Sequence, residues 1–210
     1  PKPLLPVAGI SIVERLVASI HHQLKGDIQE ISFIIGNFGP EVEALLLTIA
    51  QKFNAKGSIC YQNEALGTAH AIYCAKDLLN GEVVVAFADT LFDSTFSVNK
   101  NADATIWVKK IEDPSSFGVV EIDATHKITR FVEKPKEFIS DLAIIGIYHF
   151  KDGNALKHEI EYLFEHKIIK SNEYQLTDVL ENMKNQGKTL MAGEVTQWLD
   201  FGNKDVFIQS

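Results

Sequence analysis

Apolar residues fall in runs and stripes along this chain, and their spacing predicts alternating strands and helices. The run VVVAFA at 83–88 is rich in valine and leads straight into Asp89. It reads as a strand buried on both faces, ending on an acid. Before it, Ser11 opens a helix with Glu14 three residues on, the pattern of a capping box. Val13, Leu16, Val17, Ile20 and Leu24 share one face of that helix. ISFIIG at 31–36 is a strand by its β-branching. The next helix starts near Pro40, with Val42, Leu45, Leu46, Ile49 and Phe53 as its apolar stripe. A short strand at 58–61 leads into QNEALGTAHAI, where Gly67 and Thr68 mark the change from strand to helix. That helix is predicted to run through Ile72, Ala75, Leu78 and Leu79 and to stop at Asn80-Gly81. Strand, helix, strand, helix, strand implies right-handed parallel crossovers.

The pattern then changes. Residues 104–111 form a strand around Trp107. Segments 117–122 and 128–132 alternate apolar and polar positions about DATHK, a hairpin signal. Glu133-Lys134-Pro135 follows, then a long strand over 142–150. Helices are predicted over 154–169 and 176–185, the second ending at Gly187. A last strand at 190–195 leads to TQWLDFGNKD and Asp200. Repeats, low-complexity tracts and flexible linkers are absent from the sequence, so residues 1–210 are expected to form one domain. The fold class expected is α/β, a Rossmann-like mixed and mainly parallel central sheet with flanking helices and a small β-hairpin subregion.

Composition narrows the function. With 210 residues, 46% of them hydrophobic and 23% charged, the chain suits one globular domain. Its apolar runs fall short of the ~20 residues of a membrane span, and a signal-peptide pattern is lacking, so a membrane partner is not expected. Cys60 and Cys74 form neither a disulfide framework nor a metal cluster, which points to a reducing, cytoplasmic setting. A net charge of −8 argues against a broad nucleic-acid surface. Anionic ligands would need locally concentrated positive groups. The seven histidines lack any HExxH spacing.

Three places carry candidate chemistry. Ligands of open α/β sheets sit beyond the carboxyl ends of strands. Asp89 is therefore a candidate metal or substrate ligand, or else a solvated aspartate at a strand end. At Gly67-Thr68, backbone N–H groups and a helix dipole would face a ligand above the sheet, and the Gln62 amide has the donor and acceptor needed to read a nucleobase. The plainer alternative is a loop glutamine beside a routine helix start. Glu133 and Lys134 are either a ligand-binding pair or a surface ion pair of little energetic weight.

Taken in order, PKPLLPVAG, QNEALGTAHAI, FADTLFD, FGVVEID…ITRFVEKP, LAIIGIYHF, YQLTD and WLDFG resemble the sugar-phosphate nucleotidyltransferases over essentially the whole chain. The likeness is greatest to glucose-1-phosphate thymidylyltransferase, with uridylyl- and guanylyl-transferring relatives. The resemblance implies the nucleotide-diphospho-sugar transferase type of fold. It also implies a reaction joining a nucleoside triphosphate, dTTP or UTP, to a sugar 1-phosphate, glucose 1-phosphate, with release of pyrophosphate. By the same resemblance Asp89 and Asp200 hold Mg2+, and Lys2 contacts phosphates. Gln62, Gly67 and Thr68 bind the nucleotide. Glu133 holds sugar hydroxyls, Lys134 the sugar phosphate, and Gly146 lets backbone approach the sugar. Residues 1–100 would be the nucleotide half and 101–210 the sugar-phosphate half, and a homo-oligomer is compatible with all of this.

Two departures stand out. The family's glycine-rich loop and its arginine lie upstream of the PKP segment, outside this sequence, so this stretch alone is expected to turn over poorly. Ala88 stands where the family has a glycine before the aspartate, which adds a methyl close to the ligand. Alternative readings are a mannose-1-phosphate guanylyltransferase-like enzyme and a non-catalytic regulatory or sensing homologue. Retention of both aspartates and both lysines favours the enzyme. A dinucleotide-binding oxidoreductase would need a GxGxxG motif that the sequence lacks.

Overall fold

The computed structural model describes residues 1–93, 98–170 and 172–202. In chain order it contains a 3-10 turn at Lys2–Leu4, β1 (Pro6–Val7), β2 (Ile10–Ser11), α1 (Ile12–Gln23), β3 (Glu30–Ile35), α2 (Pro40–Lys52) and β4 (Lys56–Tyr61). Next come α3 (Thr68–Tyr73), a 3-10 turn at Lys76–Leu78, β5 (Val83–Ala86), β6 (Thr90–Asp93), β7 (Ala104–Lys110), β8 (Gly118–Ile122) and β9 (Ile128–Glu133). The chain continues with β10 (Leu142–Phe150), α4 (Gly153–Glu165), α5 (Leu176–Asn185), β11 (Leu190–Glu194) and β12 (Gln197–Asp200). The fold is mixed α/β, as the pattern predicts. The chain divides into two compact units, one of Pro1–Asn63, Ala86–Phe96 and Val195–Ser210, the other of Glu64–Val85 and Ser97–Glu194.

In the first unit α1 begins where predicted, with the Glu14 N–H donating to Ser11 Oγ at 3.3 Å. The capping box is only half built, because the Glu14 carboxylate accepts from Lys52 Nζ at 2.7 Å, across from the end of α2. Strands β3 and β4 pair in parallel from Glu30↔Lys56 to Ile35↔Tyr61, with α2 as their crossover. Val13, Val17, Phe33, Leu46, Ile49 and Ala50 form the core between them. Leu45, expected in the apolar stripe, is 44% exposed. The buried face of α2 is the set 46, 49 and 50, and a residue one position earlier points about 100° away from it. A separate antiparallel pair, β6 and β12, completes this unit, with α1 packed on β6.

The second unit is built on the sheet β11-β7-β10-β8-β9, with β5 also paired to β10. β11 runs parallel to β7, whereas β10 is antiparallel to β7 and β8, and β8 to β9. β10 is buried throughout and has the bounds read from the sequence, as does α5. The β8–β9 hairpin turns where Asp123 Oδ1 accepts from the backbone N–H groups of Thr125 (2.8 Å) and Lys127 (3.1 Å). Helices α4 and α5 pack on each other, and α5 also packs on β9.

Four expectations change. The apolar run from Val83 gives a strand of four half-buried residues rather than six fully buried ones. The chain turns at Ala88-Asp89, with Thr90 N–H bonded to Phe87 O at 3.2 Å. The predicted helix from Thr68 to Leu79 breaks at Tyr73 into a 3-10 turn, which keeps Ala75 and Leu79 buried while bringing the Leu79-Asn80 backbone against Gly153. α4 stops at Glu165, before Ile169, because Lys167 takes φ +51 and Ile168 N–H closes back on Leu163 O. The segment after 189 forms two strands, β11 and β12, in different sheets. Cys60 and Cys74 are free and half-buried. Among the described residues, no helix is long and apolar enough to cross a membrane.

A Cβ at Gly153 would lie 2.5 Å from Val83 Cγ2, 2.8 Å from Leu79 C and 2.9 Å from Asn80 N. Alanine is the better helix former by roughly 0.5–1 kcal/mol, but two of these atoms are backbone and cannot swing aside. Overpacking therefore wins. Gly153→Ala is expected to destabilise by about 1–3 kcal/mol, seen as a lower urea midpoint at unchanged m-value; an unchanged midpoint would refute this packing.

Candidate active site

Asp89 and Asp200 meet because β6 and β12 pair. The ladder runs Asp93↔Gln197, Phe92↔Trp198, Leu91↔Leu199 and Thr90↔Asp200. It continues one step further, where the Phe201 N–H donates to Asp89 O at 2.8 Å. Asp89 therefore lies opposite Phe201, one residue before the Thr90 that pairs with Asp200. The expectation from the sequence was two strand ends meeting over a sheet edge. Asp89 instead sits in the turn before β6, and local antiparallel pairing brings the two acids together.

Gly202 defines the space between them. A Cβ there would be 2.9 Å from Asp200 Oδ1 and 3.0 Å from Asp89 Oδ2. Both carboxylates thus border the position that the missing side chain leaves open. The Gly202 N–H donates to Asp200 Oδ1 at 2.8 Å, which fixes one of the two carboxylates. Lys2 Nζ donates to the Gly202 carbonyl at 2.9 Å. Phe201, nearly fully buried, anchors this strand end. Gly202 belongs to the quoted WLDFG motif, yet its role was not legible from the sequence, because only the packed chain shows what a Cβ would displace.

Burial pushes the Asp89 carboxyl above its ordinary 3.8, and the charge of Asp200 pushes it further, while its own backbone N–H and the Lys2 ammonium partly offset both. Two adjacent carboxylates, one of them buried, beside open space and a lysine, are suited to a hard divalent cation. Mg2+ is typically held by one or two carboxylates, with phosphate and water oxygens completing its octahedron. Among the described residues there is no group of three or more His, Cys, Asp or Glu that could hold a metal alone. The donor set therefore fits a cation completed by a phosphate ligand.

The other candidates divide between the units. Gln62 directly follows β4, is half-buried, and its N–H donates to Ile35 O at 2.9 Å. Gly67 caps α3 at φ +104. A Cβ on it would strike the Tyr174 backbone at 2.5 and 2.7 Å, so packing demands this glycine. The α3 N-terminus is not the free donor surface expected, since Ala69 N–H is spent on Tyr174 O at 2.9 Å. Thr68 Oγ1 accepts from Leu176 N–H at 2.9 Å and donates to Gln175 Oε1 at 3.3 Å. Glu133 ends β9 and accepts from Thr177 Oγ1 at 2.8 Å. Lys134 takes φ +43, its N–H donating to Phe117 O at 3.1 Å. Gly146 lies at φ +83 in the irregular stretch of β10 between Ile144 and Tyr148. Thr177 lies within the YQLTD segment, but nothing local in the sequence marks it as a partner of Glu133, 44 positions away.

Because the folded chain holds the Asp89 proton more tightly than the unfolded chain does, ionised Asp89 opposes folding at neutral pH. The opposition fades as pH falls through the raised value towards the ordinary one. In metal-free buffer Asp89→Asn is expected to raise the melting temperature at pH 7, with the gain gone below about pH 4. A variant no more stable than the parent at pH 7 would show that the carboxylate is not destabilised by its surroundings.

Comparison with known proteins gives the site a context. The model of the family described as nucleotidyl transferase matches residues 1–210. The bifunctional protein GlmU of Methanococcus maripaludis is 28% identical over 205 residues, covering 97% of this chain and 46% of that protein. The low-salt glycan biosynthesis nucleotidyltransferase Agl11 of Haloferax volcanii is 28% identical, covering 94% and 55%. The mannose-1-phosphate guanylyltransferase catalytic subunit beta of Drosophila melanogaster is 27% identical, covering 99% and 55%. The chain spans about half the length of the curated relatives it matches. Among solved structures, a Bacillus anthracis protein described as a glucose-1-phosphate thymidylyltransferase superposes with TM-score 0.81 at 25% identity, covering 99% of this chain and 84% of that one. A Vibrio cholerae nucleoside-diphosphate-sugar pyrophosphorylase shares the fold, with TM-score 0.84 at 17% identity and coverage of 99% and 90%. Since the family model extends from the first residue to the last, the chain belongs to the nucleotidyl transferase family.

Proposed function

We propose that this chain carries the catalytic site of a sugar-1-phosphate nucleotidyltransferase, joining dTTP or UTP to glucose 1-phosphate and releasing pyrophosphate. The observation that carries the reading is the convergence of Asp89 and Asp200 on the space above Gly202, in a chain of this family. In the reaction an oxygen of the sugar phosphate attacks the α-phosphorus. One P–O bond forms as the bond to the leaving pyrophosphate breaks, and no proton need be removed from a nucleophile that is already anionic. Catalysis then rests on positioning and on neutralising charge. Mg2+ held by Asp89 and Asp200 would supply that neutralisation when bound. Lys2 places an ammonium group beside the same strand end. In this reading Gln62 pairs with the base, Gly67 and Thr68 shape the nucleotide side, Glu133 accepts from sugar hydroxyls, Lys134 meets the sugar phosphate, and Gly146 shapes the backbone against the sugar. The halves 1–100 and 101–210 would serve nucleotide and sugar phosphate. Both substrates are metabolites of the cytoplasm, where the protein would act.

A thymidylyl reading is supported by the Bacillus anthracis structure's description. A second reading, guanylyl transfer to mannose 1-phosphate, is supported by the Drosophila relative's name. Pyrophosphate release by the full-length protein with Mg2+, measured across dTTP, UTP and GTP against glucose and mannose 1-phosphates, separates the two. Release with dTTP or UTP and glucose 1-phosphate is the expected result. GTP with mannose 1-phosphate would select the second reading, and silence across a wide panel of sugar phosphates would remove both.

Asp89→Asn and Asp200→Asn are expected to abolish turnover with the fold retained. Gly202→Ala makes the sharper test, since the atoms nearest its Cβ would belong to the side chains of Asp200 and Asp89 rather than to backbone. It should leave the melting temperature nearly unchanged, yet displace both carboxylates and lower turnover about 10²-fold, the scale of a 1 Å misplacement. Wild-type turnover in Gly202→Ala would show that the space above Gly202 is not where the chemistry happens.

A further inference from the structure

We propose that Thr177 is a positioning residue, holding the Glu133 carboxylate in the orientation that accepts a sugar hydroxyl; this rests on the sugar-binding role proposed for Glu133. The geometry begins with the β8–β9 ladder, in which Glu133 is paired with Gly118. A Cβ at Gly118 would be 3.0 Å from Glu133 Oε2, 3.0 Å from Thr177 Cγ2 and 3.2 Å from Ile144 Cδ1. The bare glycine therefore makes room for the carboxylate to lie back over β8 towards α5. There Thr177 Oγ1 donates to Glu133 Oε2 at 2.8 Å. Thr177 is only 6% exposed, so this hydrogen bond is shielded from competing water. With Oε2 held, Oε1 is left to accept from a ligand.

Thr177 is itself fixed, because the entry to α5 is latched to the 66–69 segment of the same unit. Tyr174 N–H donates to Leu66 O at 2.8 Å and Ala69 N–H to Tyr174 O at 2.9 Å. The Thr68 hydroxyl joins Leu176 N–H to the Gln175 side chain, and Gln175 Nε2 donates onward to Glu173 Oε2 at 2.6 Å. Gln175, a buried amide, is thus bonded through both its oxygen and its nitrogen. Thr68 therefore serves as a brace for the segment that carries Thr177.

The test uses the full-length protein and two substitutions that separate shape from hydrogen bonding. Thr177→Val keeps the volume and removes the hydroxyl, while Thr177→Ser keeps the hydroxyl. Thr177→Val is expected to raise the KM for the sugar 1-phosphate about tenfold, the scale of one hydrogen bond to a charged group. The KM for the nucleoside triphosphate and kcat at saturation should hardly move. Thr177→Ser should return the sugar-phosphate KM close to the parent value. Glu133→Gln should raise the same KM, and adding Thr177→Val to it should cause little further loss. If Glu133→Gln leaves that KM unchanged, the sugar role of Glu133 falls and the inference falls with it. If Glu133→Gln raises it but Thr177→Val does not, the role of Glu133 stands and the positioning role is overturned. A lower melting temperature in Thr177→Val without a KM change, or a rise in both substrates' KM that Thr177→Ser fails to reverse, would make Thr177 structural only and also overturn it.

Discussion

The pairing of β6 with β12, which holds Asp89 and Asp200 beside one opening, is the constraint on which the site proposed in the first unit depends. Left free, Asp89 and Asp200 would move apart. The β6–β12 ladder and the Phe201-to-Asp89 hydrogen bond do not allow it. Hydrogen bonds of the main chain impose an arrangement that burial of the Asp89 carboxylate opposes, and the Asp200 charge adds to that opposition. In the proposed function such a site would be least favourable when empty of positive charge and most favourable when a cation and an anionic substrate arrive together. Stability would then be given up where binding needs it, a common pattern at functional sites.

Absent side chains shape the two units as much as present ones. Gly202 leaves the space that two carboxylates border, and Gly118 leaves the space into which Glu133 folds towards Thr177. Neither position requires a left-handed backbone, so the reason for glycine there is room alone. Gly67 differs, combining φ +104 with direct contact against the Tyr174 backbone. Around it the 66–69 and 173–177 segments become one hydrogen-bonded piece, which gives a structural reason for residue types that look like ligand contacts in the sequence.

The elements most legible in the sequence were those whose residues experience one environment. β10 is apolar and buried from end to end, and α5 has a strong apolar face between clear boundaries, so both were read to the residue. The hairpin at 123–127 was legible because Asp123 organises its own turn locally. Misreadings fell where two environments compete. Val83 to Ala88 is apolar throughout, yet the chain passes from one unit to the other between Val85 and Ala86 and turns at Ala88-Asp89. The stripe from Ile72 to Leu79 is periodic enough for one helix, but close approach of Leu79-Asn80 to Gly153 goes with a tighter turn.

By itself the sequence determined the alternation of helices and strands, the identity of the acids and lysines, and the likeness to nucleotidyltransferases, because periodicity, capping and motif order are local properties of the chain. Tertiary structure alone decided that Asp89 and Asp200 border one space, that Gly202 leaves it open, and that Thr177 donates to Glu133. These relations join residues far apart in sequence, and their geometry depends on strand register. A shift of one residue in the β6–β12 pairing would take Asp200 off Thr90 and Phe201 off Asp89, and such a shift changes no letter of the sequence.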